Sequence, residues 1–115
     1  MTGERDQPDV ADLDLGRIFA ALAEPMRLKV IMELIRENVS GERSCASFCL
    51  PVAKSTLTHH FRVLREAGLI SDTDYGNRRG VVLRREDLAS RFPSLLQLLD
   101  DEAWSRHQLG ARLDA

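Results

Sequence analysis

The chain has 115 residues, 43% hydrophobic and 30% charged, with a formal net charge of −2. That is the size and make-up of one soluble globular domain with a modest core. No apolar run approaches the roughly 20 residues of a membrane span, the polar opening MTGERDQPDV lacks the apolar stretch of a secretory signal, and two cysteines, Cys45 and Cys49, are too few for a disulfide framework. The default expectation is a cytoplasmic protein.

Residues 1–11 read as a flexible arm, 12–108 as the folded domain and 109–115 as a frayed end. Leu15, Ile18, Phe19 and Leu22 recur at helical period, which predicts a first helix over 13–23 with Asp12 as its N-cap. Pro25 suits the first turn of a second helix, which carries Leu28, Ile31, Met32 and Ile35 on one face and runs to about Glu37. Ser40-Gly41 is a break. Ser44 to Cys49 predicts a short third helix, and Leu50-Pro51-Val52 a tight turn, since proline forbids simple continuation. A fourth helix covers 54–67 and stops at Gly68. Leu69–Tyr75 and Val81–Arg84 read as two strands of a hairpin with Gly76-Asn77 as its turn. Glu86–Arg91 is a helical turn or two, and Pro93 begins a last helix on which Phe92, Leu95, Leu96, Leu99 and Ala103 form a stripe, widened by Leu98 and Trp104. The fold class is mainly α with a small β-hairpin, in the order ααααββα(α).

The helix at 54–67 has two unlike faces. Leu57, Phe61 and Leu64 form one apolar stripe. The other face carries Lys54, Ser55, Thr56, Thr58, His59 and Arg62, the donors, acceptors and cations that reach base edges and phosphates in a major groove. His60 lies beside the stripe and is expected to be packed and hydrogen-bonded, whereas His59 points away. Adjacent helical residues diverge by about 100°, so the pair does not readily share a metal ion. From Lys54 to Arg85 there are seven Lys or Arg against three acids, a local charge of +4 on an otherwise acidic chain. Arg65 joins that basic face, and Tyr75, Asn77, Arg78 and Arg79 at the hairpin are candidates for contacts to the flanking backbone or minor groove.

The segments LAEPMRLKVIMEL (22–34), KSTLTHHFRVLREAGLI (54–70) and YGNRRGVVLRREDL (75–88) together resemble the ArsR-type winged helix-turn-helix transcriptional regulators. The likeness covers roughly residues 13–100. It implies a homodimer that binds an inverted-repeat operator in double-stranded DNA and represses until an effector releases it. It also implies dimer contacts through the first and last helices, which agrees with their apolar excess at Leu15, Ile18, Phe19, Leu95, Leu98, Leu99 and Trp104. Some positions depart from the family pattern. Ala53 stands where Ser or Thr would cap better, and Thr58 and Phe61 replace the commoner Ser and Leu. SCASFCL spaces its cysteines four apart and not two, so the family's thiolate motif is unmatched, and only His107 is left of its last-helix zinc pattern. The effector is therefore left open.

On a continuous helix Cys45 and Cys49 share one face. They are buried small hydrophobes, a redox pair, or part of a soft-metal or metalloid site with outside ligands. No cofactor is otherwise implied. The chain has no Gly-rich phosphate loop, nucleophile motif or metal-hydrolase spacing, so no catalysis is expected. The rival to DNA reading is a winged-helix module that contacts protein, against which the cations on both helix and hairpin argue.

Overall fold

The computed structural model describes residues 7–37 and 42–114. The break expected at Ser40-Gly41 lies outside them. Helix α1 spans Leu15–Leu22. Its cap is Asp14 and not Asp12: the Asp14 carboxylate accepts from the Arg17 backbone N–H at 2.9 Å. Asp12 instead closes a 3-10 turn, Val10–Asp12. A capping side chain must sit one residue before the first helical position to reach the orphan N–H groups, and Asp14 holds that place. Helix α2, Pro25–Glu37, begins on proline, whose absent N–H costs nothing there. The Glu24 carboxylate accepts from the next free donors, Met26 N–H at 2.7 Å and Arg27 N–H at 3.0 Å.

α2 is the axis of the core. Val30, Ile31, Met32, Leu34 and Ile35 are all buried, a wider face than a single stripe. It packs against α1, α3 (Lys54–Glu66), the sheet and the last helix, α5 (Pro93–Asp114). Ile18, Phe61, Leu64, Leu69, Ile70, Val81 and Leu88 complete the fully enclosed interior.

The sheet corrects the sequence reading by one strand. Besides the hairpin of β2 (Ile70–Asp74) and β3 (Arg79–Leu83), the two residues Arg43–Ser44 form β1. β1 pairs antiparallel with β3, so the order is β1-β3-β2. Two polar residues carry no alternation that would mark a strand; only pairing with Val81 and Gly80 defines them. Arg43 anchors β1 to α2 through Glu33 at 3.2 Å and Glu37 at 2.9 Å, with its guanidinium 3.9 Å above the centre of the Phe48 ring.

The third helix is also corrected. Cys45–Phe48 is a single 3-10 turn, and Cys49 takes φ 53° in the left-handed region. Pro51 and the need to seat Phe48 beside Phe61, ring centroids 5.7 Å apart, leave no length for an α-helix. Cys45 and Cys49 are therefore not neighbours on one helix face.

Gly68 ends α3 with φ 86°, and a side chain there would overlap Leu13. The hairpin turns at Gly76, φ 88°, with Tyr75 N–H donating to the Arg78 carbonyl at 2.8 Å. Helix α4 (Arg85–Arg91) leads into α5, and Arg91 donates back to the carbonyls of Val10 and Ala11 at 2.8 and 3.0 Å. This ties the end of α4 to the segment before α1. No helix among the described residues is long and apolar enough to cross a membrane.

Candidate nucleic-acid interface

The 3-10 turn at Cys45–Phe48, the bend at 49–53 and α3 form two helical pieces joined by a tight corner. Leu50 and Val52 close that corner with a 2.9 Å backbone bond. The inner side of α3 carries His60, Phe61 and Leu64, all buried, with Leu57 partly so. The outer side presents Lys54, Ser55, Thr56, Thr58, His59 and Arg62, every one exposed. No side chain caps the helix at Ala53, so its first backbone N–H groups and positive dipole end are open to an anion.

A polar clasp lies beneath α3 beside its apolar inner face. Arg27 Nε donates to the Ala21 carbonyl at 2.8 Å, and Nη1 lies 3.1 Å from His60 Nδ1. Glu24 Oε1 stands 3.9 Å from the other imidazole nitrogen. The Glu24 carboxyl sits below the ordinary carboxylate range, chiefly because it accepts the Arg27 backbone N–H. His60 is thus an inward, bonded residue, and His59 beside it faces solvent.

At the wing tip, Tyr75 Oη donates to Glu42 at 3.0 Å, Arg78 reaches the same carboxylate at 3.4 Å, and the Arg78 guanidinium lies 4.2 Å from the Tyr75 ring centre. The bond to Glu42 raises the Tyr75 phenol above its usual range. Asn77 is exposed at the turn. Glu42 is a partner that sequence reasoning missed: no motif marks it, and it reaches the tip only because β1 pairs with β3.

Two cations of the basic face are engaged internally. Arg65 Nη1 lies 3.2 Å and Arg79 Nη1 3.3 Å from Oδ2 of Asp72, whose side chain is wholly buried. Arg79 also meets Asp74 at 3.5 Å. Of the candidate dimer residues, Ile18 and Leu99 belong to the chain's own core and Leu95 is partly buried. Phe19, Leu98 and Trp104 are 53%, 62% and 60% exposed, with Leu15 less so. Cys45 is half-buried and Cys49 exposed. Burial pushes the Cys45 thiol up to about 11. Among the described residues no group of three or more His, Cys, Asp or Glu is placed to hold a metal ion.

A short helix, a corner, a second helix with an outward polar face and a hairpin beside it make a winged helix-turn-helix. The chain is similar to known proteins in sequence and in fold. A protein of Bacillus subtilis (strain 168), described as the uncharacterized HTH-type transcriptional regulator YceK, is 36% identical over 88 residues, 73% of this chain and 84% of that protein. An ArsR-like transcriptional regulator from Rhodococcus sp. RHA1 superposes with TM-score 0.54 at 23% identity, covering 88% of this chain and 92% of its own. A second solved ArsR family transcriptional regulator superposes at 0.57 with the same identity and coverage. No family model matches the chain. The chain belongs to the helix-turn-helix transcriptional regulators, and its fold is the winged helix of the ArsR-like proteins.

Proposed function

We propose that this regulator is a sequence-specific repressor that binds an inverted-repeat operator as a homodimer. The observation that carries the reading is the outer face of α3, where six polar or cationic side chains are exposed over an inner face of buried His60, Phe61 and Leu64. Lys54, Ser55 and Thr56 at the open helix start bind phosphate, and Thr58, His59 and Arg62 read base edges in the major groove. Tyr75, Asn77 and Arg78 bring the wing onto the adjoining backbone or minor groove.

The homodimer rests on Phe19, Leu98 and Trp104, large apolar side chains left exposed on α1 and α5 with Leu109 beyond them. Such a face is costly in a lone subunit. A two-fold pair of reading heads calls for a two-fold operator. Repression is the mode the ArsR-type resemblance implies. The test is a gel shift on DNA upstream of the chain's own gene, followed by a reporter assay. We expect retardation that fades as salt rises, and a reporter silenced by the protein. No retardation at low salt would sink the reading.

A further inference from the structure

Strand β2 alternates inward and outward, and its inward positions are Ile70 and Asp72. An apolar residue would be expected at 72, next to Val81 across the ladder. A carboxylate stands there instead, with its side chain fully enclosed. Burying a charge is expensive unless it is paired. The Asp72 partners come from two different elements of the interface: Arg65 from the last turn of α3 at 3.2 Å and Arg79 from the first residue of β3 at 3.3 Å, both on Oδ2. One oxygen therefore links the end of α3 to the wing strand β3 at the end next to the turn.

That placement has two consequences. The helix and wing must meet the duplex at a set separation, one in the groove and one on the neighbouring backbone. A buried ionic tie between them holds that separation before DNA arrives, which is preorganisation. The tie also occupies two cations on the basic side of the molecule. A guanidinium bound to a buried carboxylate does not neutralise a phosphate, and phosphate neutralisation is the part of binding that is blind to sequence.

We infer that Asp72 is a positioning residue that sets the wing against the recognition helix and withholds Arg65 and Arg79 from DNA phosphates, shifting binding from charge towards sequence. The inference rests on the DNA-reading proposal above.

The test compares wild type, Asp72→Asn and Arg65→Gln on two duplexes of equal length. One is the sequence that wild type selects from a random pool, the other is unselected random sequence. Affinity is measured across a salt series, and thermal melts establish that each variant folds. For Asp72→Asn we expect tighter binding to random sequence and a salt slope steeper by about 0.9 for each arginine released onto phosphate. The ratio of selected to random affinity should fall by roughly tenfold, the scale of one mismatched base pair. For Arg65→Gln we expect a lower ratio with an unchanged slope, because Arg65 touches no phosphate. If Arg65→Gln instead flattens the slope by about 0.9, Arg65 binds phosphate and the inference falls. It falls equally if a folded Asp72→Asn matches wild type in slope and ratio. Should Asp72→Asn fail to fold, Arg65→Gln and Arg79→Gln decide by the same criterion. Failure of wild type to bind any duplex overturns the underlying DNA reading, a separate result.

Discussion

Arg27 Nη1 faces His60 Nδ1 at 3.1 Å, so α2 meets α3 through a guanidinium–imidazole bond as well as through the apolar core. Arginine only donates, which makes Nδ1 the acceptor and leaves the ring proton on Nε2, towards Glu24. Arg27 also closes the end of α1 through the Ala21 carbonyl. Three helices thus share one side chain. Removing it strands a buried acceptor on His60 and another at Ala21. Arg27→Ala should lower the unfolding free energy by about 1–3 kcal/mol, read as a lower urea midpoint with unchanged m. Exposed Arg17 serves as control. A loss no larger than that of Arg17→Ala would mean that the clasp carries no stability.

Arg62 and Lys54 are exposed on the outer face of α3 and form no ion pair among the described residues, so their charge is available to DNA. Replacing Arg62 by Ala should weaken operator binding and flatten the plot of log affinity against log salt by about 0.9 for each phosphate left without its cation. Lys54→Ala should flatten it likewise, with little change in sequence preference if it meets phosphate alone. Unchanged affinity for Arg62→Ala over the whole salt series would refute the placement of α3 in the groove.

How far the sequence can be read follows from which signals are local. The stripe Leu57, Phe61, Leu64 and the stop at Gly68 depend on the helix alone, and the wing turn depends on Gly76-Asn77; each appears where periodicity places it. The same helical arithmetic separates His60 from His59. β1 is not legible, because two residues, Arg43 and Ser44, become a strand only through the remote partner β3. The 3-10 turn at Cys45–Phe48 reads as a longer helix, because the space Phe48 needs beside Phe61 is a tertiary fact. The same limit hides Glu42 and Asp72. An acid in a strand reads as solvated unless its cationic partners, Arg65 and Arg79, are seen to converge on it.

If the wing meets DNA as proposed, Glu42 competes with phosphate for it. It accepts from Tyr75 and Arg78, the groups proposed to meet the DNA backbone. Glu42→Gln removes the charge and keeps the shape. The Tyr75 phenol, raised chiefly by its bond to Glu42, should then titrate at lower pH. The chain has one tyrosine, so tyrosinate absorbance reports it directly. DNA affinity should rise together with the salt slope. A phenol titration that does not move would show that the bond is absent in solution.

Cys45 and Cys49 should differ in reactivity. Burial, aided by the Asp72 carboxylate and opposed by Arg79, lifts Cys45 from 9.0 to about 11, so near neutral pH it is a thiol and a poor nucleophile. Cys49 is exposed. A brief alkylation of native protein should add one label per chain, at Cys49, and denatured protein should take two, as read by peptide mass. The same shift has a pH signature. The native state holds the Cys45 proton more tightly than the unfolded chain, so its contribution to stability is complete below pH 9 and is lost as pH climbs to about 11. Cys45→Ala should flatten that alkaline limb. Equal labelling of both cysteines in native protein would contradict the burial argument.

The exposed apolar face on α1 and α5 carries the chain's one tryptophan, which makes association directly visible. Trp104 is 60% exposed in the single chain, with Leu98 at 62% and Phe19 at 53%. Pairing two such faces across a two-fold axis would bury Trp104, and its emission should move to the blue as concentration rises through the dimer dissociation constant. Leu98→Glu sets a charge at this face in both subunits. Sedimentation should then show a monomer whose emission stays red at every concentration. Because Leu98 contributes little to the chain's own core, circular dichroism and the melt should change little. Operator affinity should drop sharply, since each subunit then binds its half-site without the help of the other. A Leu98→Glu protein that still sediments as a dimer would place the interface elsewhere, and a wild type that is monomeric at every concentration would remove the two-fold reader altogether.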